Sequence, residues 1–158
     1  MKKLYLYLFL FLSFTSISKS EDFFEDITYQ LLDNQPRLSY GISVSDTNGN
    51  GNYEFVVTGF GFKNLALAYK KGILFNSIDQ SIFLDKNRKT IGVASCDIDQ
   101  DGYEEIYFLN TDTYSGNKRY SDRLLDFDGN KFYDLFELEI NQKNLNLTAG
   151  RSVVCVDR

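Results

Sequence analysis

From residue 41 onward, apolar and polar positions alternate in short runs such as GISVS, YEFVV, LALAY, GVASC and EEIYF, separated by glycine-bearing turns every ten residues or so. A strand sends successive side chains to opposite faces, so this alternation predicts an all-β chain of short strands. Only Phe23 to Leu32 approaches helical spacing, and its aromatic start suits an extended segment equally well.

The pattern also repeats. GISVSDTNGNGNYEFVVTGF, from Gly41, aligns without gaps on GVASCDIDQDGYEEIYFLNT, from Gly92, an offset of 51 residues. Each copy reads as strand, acidic loop, strand, and each is followed by a candidate hairpin. In LALAYKKGILF the turn falls at Lys71-Gly72, and in RLLDFDGNKFYDLF near Asp128-Gly129. A four-stranded unit recurring about every fifty residues is the signature of a β-propeller blade or a comparable all-β array, whose units need neighbours to cover both faces. A third copy opens at GRSVVCVDR, with Gly150 aligned on Gly92 and Gly41, which predicts a truncated sequence of about two blades. The expected organisation is residues 1–20 as a signal peptide and residues 21–158 as a repeat region. Within that region the first repeat covers about 23–76, the second about 77–136, and the start of a third 137–158.

The amino terminus breaks the alternation. Lys2 and Lys3 precede an apolar run from Leu4 to about Phe14 and then small polar residues, the layout of a secretory signal. No second apolar stretch of about twenty residues follows, so no membrane association is expected after cleavage. Loss of Lys2, Lys3 and Lys19 takes the formal charge from −5 to −8. An acidic secreted chain disfavours nucleic acid and suits cations or basic extracellular partners. The sequon Asn146-Leu147-Thr148 agrees with that route and makes Asn146 a glycosylation candidate.

The acidic loops carry the candidate chemistry. Asp97, Asp99 and Asp101 alternate, Gly102 follows and Glu105 closes a DxDxDGxxE pattern. Calcium takes about six to eight oxygens at about 2.3–2.6 Å, and alternate positions of a tight loop converge on one point. Tyr103, at the seventh position, would offer its backbone carbonyl. The flanks are strand-like and position twelve is Phe108, so the loop is not an EF-hand. The first copy has oxygen-bearing side chains at Asp46, Asn48, Asn50, Asn52 and Glu54 but only two carboxylates among them, which predicts weaker binding. Without a metal, Asn-Gly and Asp-Gly are ordinary turn residues, but the repulsion among clustered carboxylates then has no evident cure. Glu104 reads as an exposed residue at a strand start, and KNRK at Lys86 to Lys89 as a solvated loop. Cys96 and Cys155 fall one position apart in the repeat register, so regular strands would turn them to opposite faces. A disulfide between them, buried free thiols, and partners in missing sequence all remain open.

The chain has no histidine, which removes Ser-His and Cys-His nucleophile pairs, histidine-bound zinc and the commonest general base. Carboxylate pairs and Ser-Lys dyads remain formally open, and a non-enzymatic protein is expected.

With these motifs in place, the chain resembles the FG-GAP and VCBS class of calcium-loop propeller repeats. It resembles the cartilage acidic protein family more closely, through YGISVSDTNGNGNYEFVVTGF, IGVASCDIDQDGYEEIYFLNTDTYSG and AGRSVVCVDR. The resemblance runs from about Phe23 to Arg158. It implies a secreted, glycosylated extracellular-matrix protein with a calcium-binding propeller and no known catalytic role, acting on an extracellular protein or matrix partner. Family members continue into further repeats, an ASPIC/UnbV segment and EGF-like modules that are not in this sequence. The competing readings are an accessory repeat region of a larger secreted hydrolase and an integrin-like receptor head.

Overall fold

The computed structural model describes residues 23–156. The expected signal segment at 1–20 lies outside them. The described chain is mostly sheet, as the alternation predicts. β1 (Ile42–Ser45), β2 (Glu54–Val57), β3 (Leu65–Lys70) and β4 (Ile73–Asn76) form one antiparallel sheet in chain order. β5 (Thr90–Cys96), β6 (Glu105–Asn110), β7 (Arg123–Phe127) and β8 (Phe132–Asp134) form the second in the same way. Both outer hairpins turn at the expected residues. Lys71 and Gly72 have φ of 52° and 82°, the left-handed pair that a two-residue hairpin requires to match strand twist.

Pairing registers place equivalent residues in equivalent rows. Ser45 faces Glu54 on β1 and β2, and Cys96 faces Glu105 on β5 and β6, again 51 residues apart. The face of the first sheet bearing Val56 and Ala66 packs on the face of the second bearing Ile106, Phe108, Leu125 and Phe132. Between them lies the connection from β4 to β5, which includes a single helical turn, α1 (Ser81–Leu84). Phe83 on α1 is fully buried, edge-on to Phe108 at 5.4 Å and tilted against Phe132 at 5.3 Å. Burying such a side chain contributes about 1.5–3 kcal/mol.

The two sheets come closest at their first strands. A Cβ on Gly41 would stand 2.9 Å from Gly92 Cα, and the Ser43 and Ser95 hydroxyls are 3.2 Å apart. The far face of the first sheet is open, with Ile42, Val44 and Phe55 exposed. On the second sheet, Leu109 is buried beneath Gly150, where an added Cβ would meet Leu109 Cδ1 at 2.7 Å.

Three local readings change. Phe23 to Leu32 holds only a 3-10 turn, Thr28–Gln30, after which Leu31 bridges to Leu74 on the edge of β4. The alternation misses α1 and the 3-10 turns at Leu135–Glu137 and Glu139–Asn144, which are too short to show a period. In the KNRK loop Lys86, Asn87 and Lys89 are exposed as expected, with Lys89 Nζ 5.4 Å over the Phe60 ring, and only Arg88 departs, half-buried and paired with Asp85 at 2.9 Å.

Candidate metal centre

Each acidic loop joins the first two strands of its sheet, and the two loops are built by the same hydrogen bonds at the same offset. Asp46 Oδ2 accepts from Gly51 N at 2.7 Å, and Asp97 Oδ2 from Gly102 N at 3.1 Å. Asn48 Oδ1 accepts from Asn50 N at 3.2 Å, and Asp99 Oδ1 from Asp101 N at 3.1 Å. Asn50 Oδ1 accepts from Asn52 N and Asp101 Oδ1 from Tyr103 N, both at 2.8 Å. The closing acids reach back across the loop: Glu54 Oε2 accepts from Thr47 N at 3.2 Å and Glu105 Oε2 from Ile98 N at 2.6 Å. Short side chains that bond the backbone two residues on fold the chain into successive tight turns. Gly51 and Gly102 take the left-handed conformation, with φ of 81° and 94°.

In the second loop this winding brings Asp97, Asp99, Asp101 and Glu105 together. One carboxylate oxygen from each lies within 4.8 Å of all the others. Two ligands on opposite sides of a calcium ion, each about 2.4 Å from it, are separated by about 4.8 Å, so the four oxygens fit one ion. Glu105 is only 2% exposed, and its Oε1 has no hydrogen-bond partner. Burial raises its affinity for a proton, the Ile98 amide lowers it, and the charges of Asp99, Asp126 and Asp97 raise it further. A buried, unpartnered carboxylate oxygen beside three acids is the donor set a hard cation completes.

The first loop is chemically milder. Asp46 and Glu54 are its only carboxylates among the five positions, and Glu54 Oε2 also accepts the Thr47 hydroxyl at 2.8 Å. Asn50 Oδ1 is shared by the backbone and side-chain amides of Asn52. The residue equivalent to Thr47 is Ile98, so Glu105 lacks that hydroxyl donor.

The side chains of Tyr103 and Glu104 couple the loops. The Tyr103 ring packs edge-on to Phe127 at 5.5 Å and covers Gly49, where an added Cβ would fall 2.5 Å from Cε1. Its side chain is thus committed to packing, which leaves the carbonyl as the group it offers the loop. Glu104 is half-buried rather than exposed. Its Oε2 accepts from Asp46 N at 3.2 Å, joining the first residue of one loop to the end of the other. The sequence reading treats each loop alone and so misses this bond.

Cys96, immediately before Asp97, is disulfide-bonded to Cys155, with Cα atoms 6.3 Å apart. Alternation would set the two apart, but residues 151–156 form no strand, so strand periodicity does not govern where Cys155 points. Asn146 is half-buried, and its Nδ2 donates to the buried Asp122 carboxylate at 2.6 Å. A further residue absent from the sequence-based set is Asp126 on β7, buried and with Oδ1 unpartnered. No spacing rule finds it, because only the β6–β7 register brings it beside Glu105. Among the described residues, no helix is long and apolar enough to cross a membrane.

No family model matches the chain. Cartilage acidic protein 1 of Xenopus tropicalis is 40% identical to it over 156 aligned residues, which cover 89% of this chain and 24% of that protein. The Homo sapiens and Mus musculus proteins of the same name are 38% and 36% identical with the same coverage. The chain therefore spans about a quarter of the length of these curated relatives. Over most of its own length the chain is thus a homologue of one segment of cartilage acidic protein 1, as its resemblance to that family implies.

Proposed function

We propose that this protein is a secreted, calcium-binding, non-enzymatic interaction module of the extracellular matrix, built from propeller-type blades. The observation that carries the reading is the convergence of Asp97, Asp99, Asp101 and Glu105, with Glu105 Oε1 buried and unpartnered. Calcium at this point would tie the loop between β5 and β6, and part of its binding free energy would become folding free energy. The residues holding it would be those four carboxylates and the Tyr103 carbonyl. Asp46, Asn48, Asn50, Asn52 and Glu54 would form a weaker site in the first loop.

Three features support the blade reading: the four-stranded meander, its repetition, and the exposed Ile42, Val44 and Phe55 on the far face of the first sheet. Such a face suits a further sheet stacked upon it. The matrix assignment follows the relatives' name and the family resemblance, and a matrix or extracellular protein partner follows with it.

The test is thermal unfolding of the secreted chain with calcium and with chelator, on wild type and Asp99→Ala. At a hundredfold excess of calcium over its dissociation constant, linkage supplies about 2.7 kcal/mol. That corresponds to a rise in Tm of roughly 5–15 °C for wild type. Asp99→Ala should lose most of it. Identical melting of wild type in calcium and in chelator sinks the reading.

A further inference from the structure

We infer that Asp126 is a working part of the second cation site, holding a water on the bound ion from a strand outside the acidic loop. This inference rests on the calcium reading above.

The geometry comes from one row of residues across the second sheet. Cys96 pairs with Glu105, and Asp126 pairs with Tyr133. Ile106 pairs with Leu125, so the next position places Glu105 directly opposite Asp126. Directly opposed residues on adjacent strands have Cβ atoms about 4.5–5.5 Å apart, and like charges there are destabilising. Both groups are buried, Glu105 at 2% and Asp126 at 5% exposure. Neither takes part in an ion pair among the described residues.

Each carboxylate has one satisfied oxygen and one that is not. Glu105 Oε2 accepts from Ile98 N, and Asp126 Oδ2 accepts the Tyr133 hydroxyl. Glu105 Oε1 and Asp126 Oδ1 have no partner. Two facing carboxylates with two unpartnered, buried oxygens are stabilised by a proton or a cation between or beside them. A single shared proton would relieve this pair but leave the mutual repulsion of the exposed Asp97, Asp99 and Asp101 screened by solvent alone. A divalent ion relieves all five groups.

The first sheet supplies the internal control. Its equivalent row reads Ser45, Glu54, Ala68 and Phe75, with Ala68 where Asp126 stands and Phe75 where Tyr133 stands. There the closing glutamate faces an apolar neighbour and receives the Thr47 hydroxyl. In the second sheet the hydroxyl donor is lost to Ile98 and an acid is added opposite. The first change removes a donor from the closing glutamate, and the second adds a negative charge opposite it that the Tyr133 hydroxyl meets at one oxygen only. The four loop oxygens form a mutual group that does not include Asp126. Its reach to the ion is therefore through a bound water, the way one position of a calcium loop is often filled.

The experiment is calcium titration calorimetry on the full secreted chain, with melting in chelator as a second readout. The variants are Asp126→Asn, Tyr133→Phe and, as an exposed acid control, Asp128→Asn. Asp126→Asn should weaken the tighter site about 10- to 100-fold, the usual cost of losing an outer partner of a metal site. It should also melt higher than wild type in chelator, because one of two facing charges is gone. Tyr133→Phe and Asp128→Asn should bind within about threefold of wild type, well below the roughly 10- to 100-fold loss expected of an outer partner. Wild-type affinity in Asp126→Asn overturns the inference, and so does weaker binding accompanied by a lower melting temperature in chelator, which marks a packing defect. If wild type binds no calcium at all, the parent reading is what fails.

Discussion

Replacing Asp122 by asparagine should be among the most damaging single changes in this protein, although the residue lies outside both acidic loops. Asp122 and Lys118 have fully buried side chains, and Lys118 Nζ donates to Asp122 Oδ1 and, at 2.9 Å, to the Asn110 carbonyl. The same carboxylate accepts the Tyr107 hydroxyl at 2.7 Å, Asn110 N at 2.8 Å and Asn146 Nδ2 at 2.6 Å. Four donors therefore converge on two oxygens. Burial and that bond together push the Tyr107 hydroxyl well above the usual tyrosine range. Asparagine offers one acceptor oxygen and turns an NH2 towards groups that also donate, while the Lys118 ammonium stays buried without a counter-charge. Breaking a buried pair from one side costs about 3–5 kcal/mol, against the roughly 5–15 kcal/mol stability of an ordinary domain. Lys118→Met should cost less, about 1–3 kcal/mol, since three donors still serve the carboxylate. Adding Lys118→Met to Asp122→Asn should then restore part of the loss, because the stranded charge is gone. Urea denaturation at fixed calcium, followed by tyrosine fluorescence and circular dichroism because the chain lacks tryptophan, gives the three free energies. A cost below about 1 kcal/mol for Asp122→Asn, or additive effects in the double variant, would refute the account.

Asn146→Gln, made in a host that attaches no N-glycans, should destabilise by about 1.5–3 kcal/mol through loss of the charge-assisted bond to Asp122. Equal urea midpoints would show that Asn146 serves only as a sequon. Gly41→Ala should cost about 1–3 kcal/mol, since the new Cβ meets Gly92 Cα at 2.9 Å and the Ile91 carbonyl at 3.0 Å, both backbone atoms. A Tm within a degree of wild type would contradict the close approach.

The gapless offset made the two acidic loops readable because each is local: every Asx bond in them spans two to five residues, so spacing alone encodes it. Even there the code is degenerate. Gly49 and Gln100 occupy equivalent positions with φ of 66°, yet only one of them is the glycine that announces a left-handed residue. Asp126 and Asp122 carry no such local signal, because their surroundings arise from strand register and from loops meeting at the other end of the sheet. Glu104 was misread for the same reason: its partner, Asp46, is 58 residues away. Short strands with alternating faces showed the class of the fold, whereas single helical turns such as α1 carry too few residues to display a period.

The near-contact of Gly41 with Gly92 and the buried ring of Phe83 act on the same quantity from opposite sides. At the first strands the sheets are hinged together like pages at a spine, with no side chain at Gly41 to part them. Toward β8, α1 inserts an aromatic ring between them. The opening angle between neighbouring sheets is thus written in side-chain volume at very few positions. A chain of this kind can change the angle between its two sheets by altering a spacer no larger than one phenyl group, without touching the acidic loops.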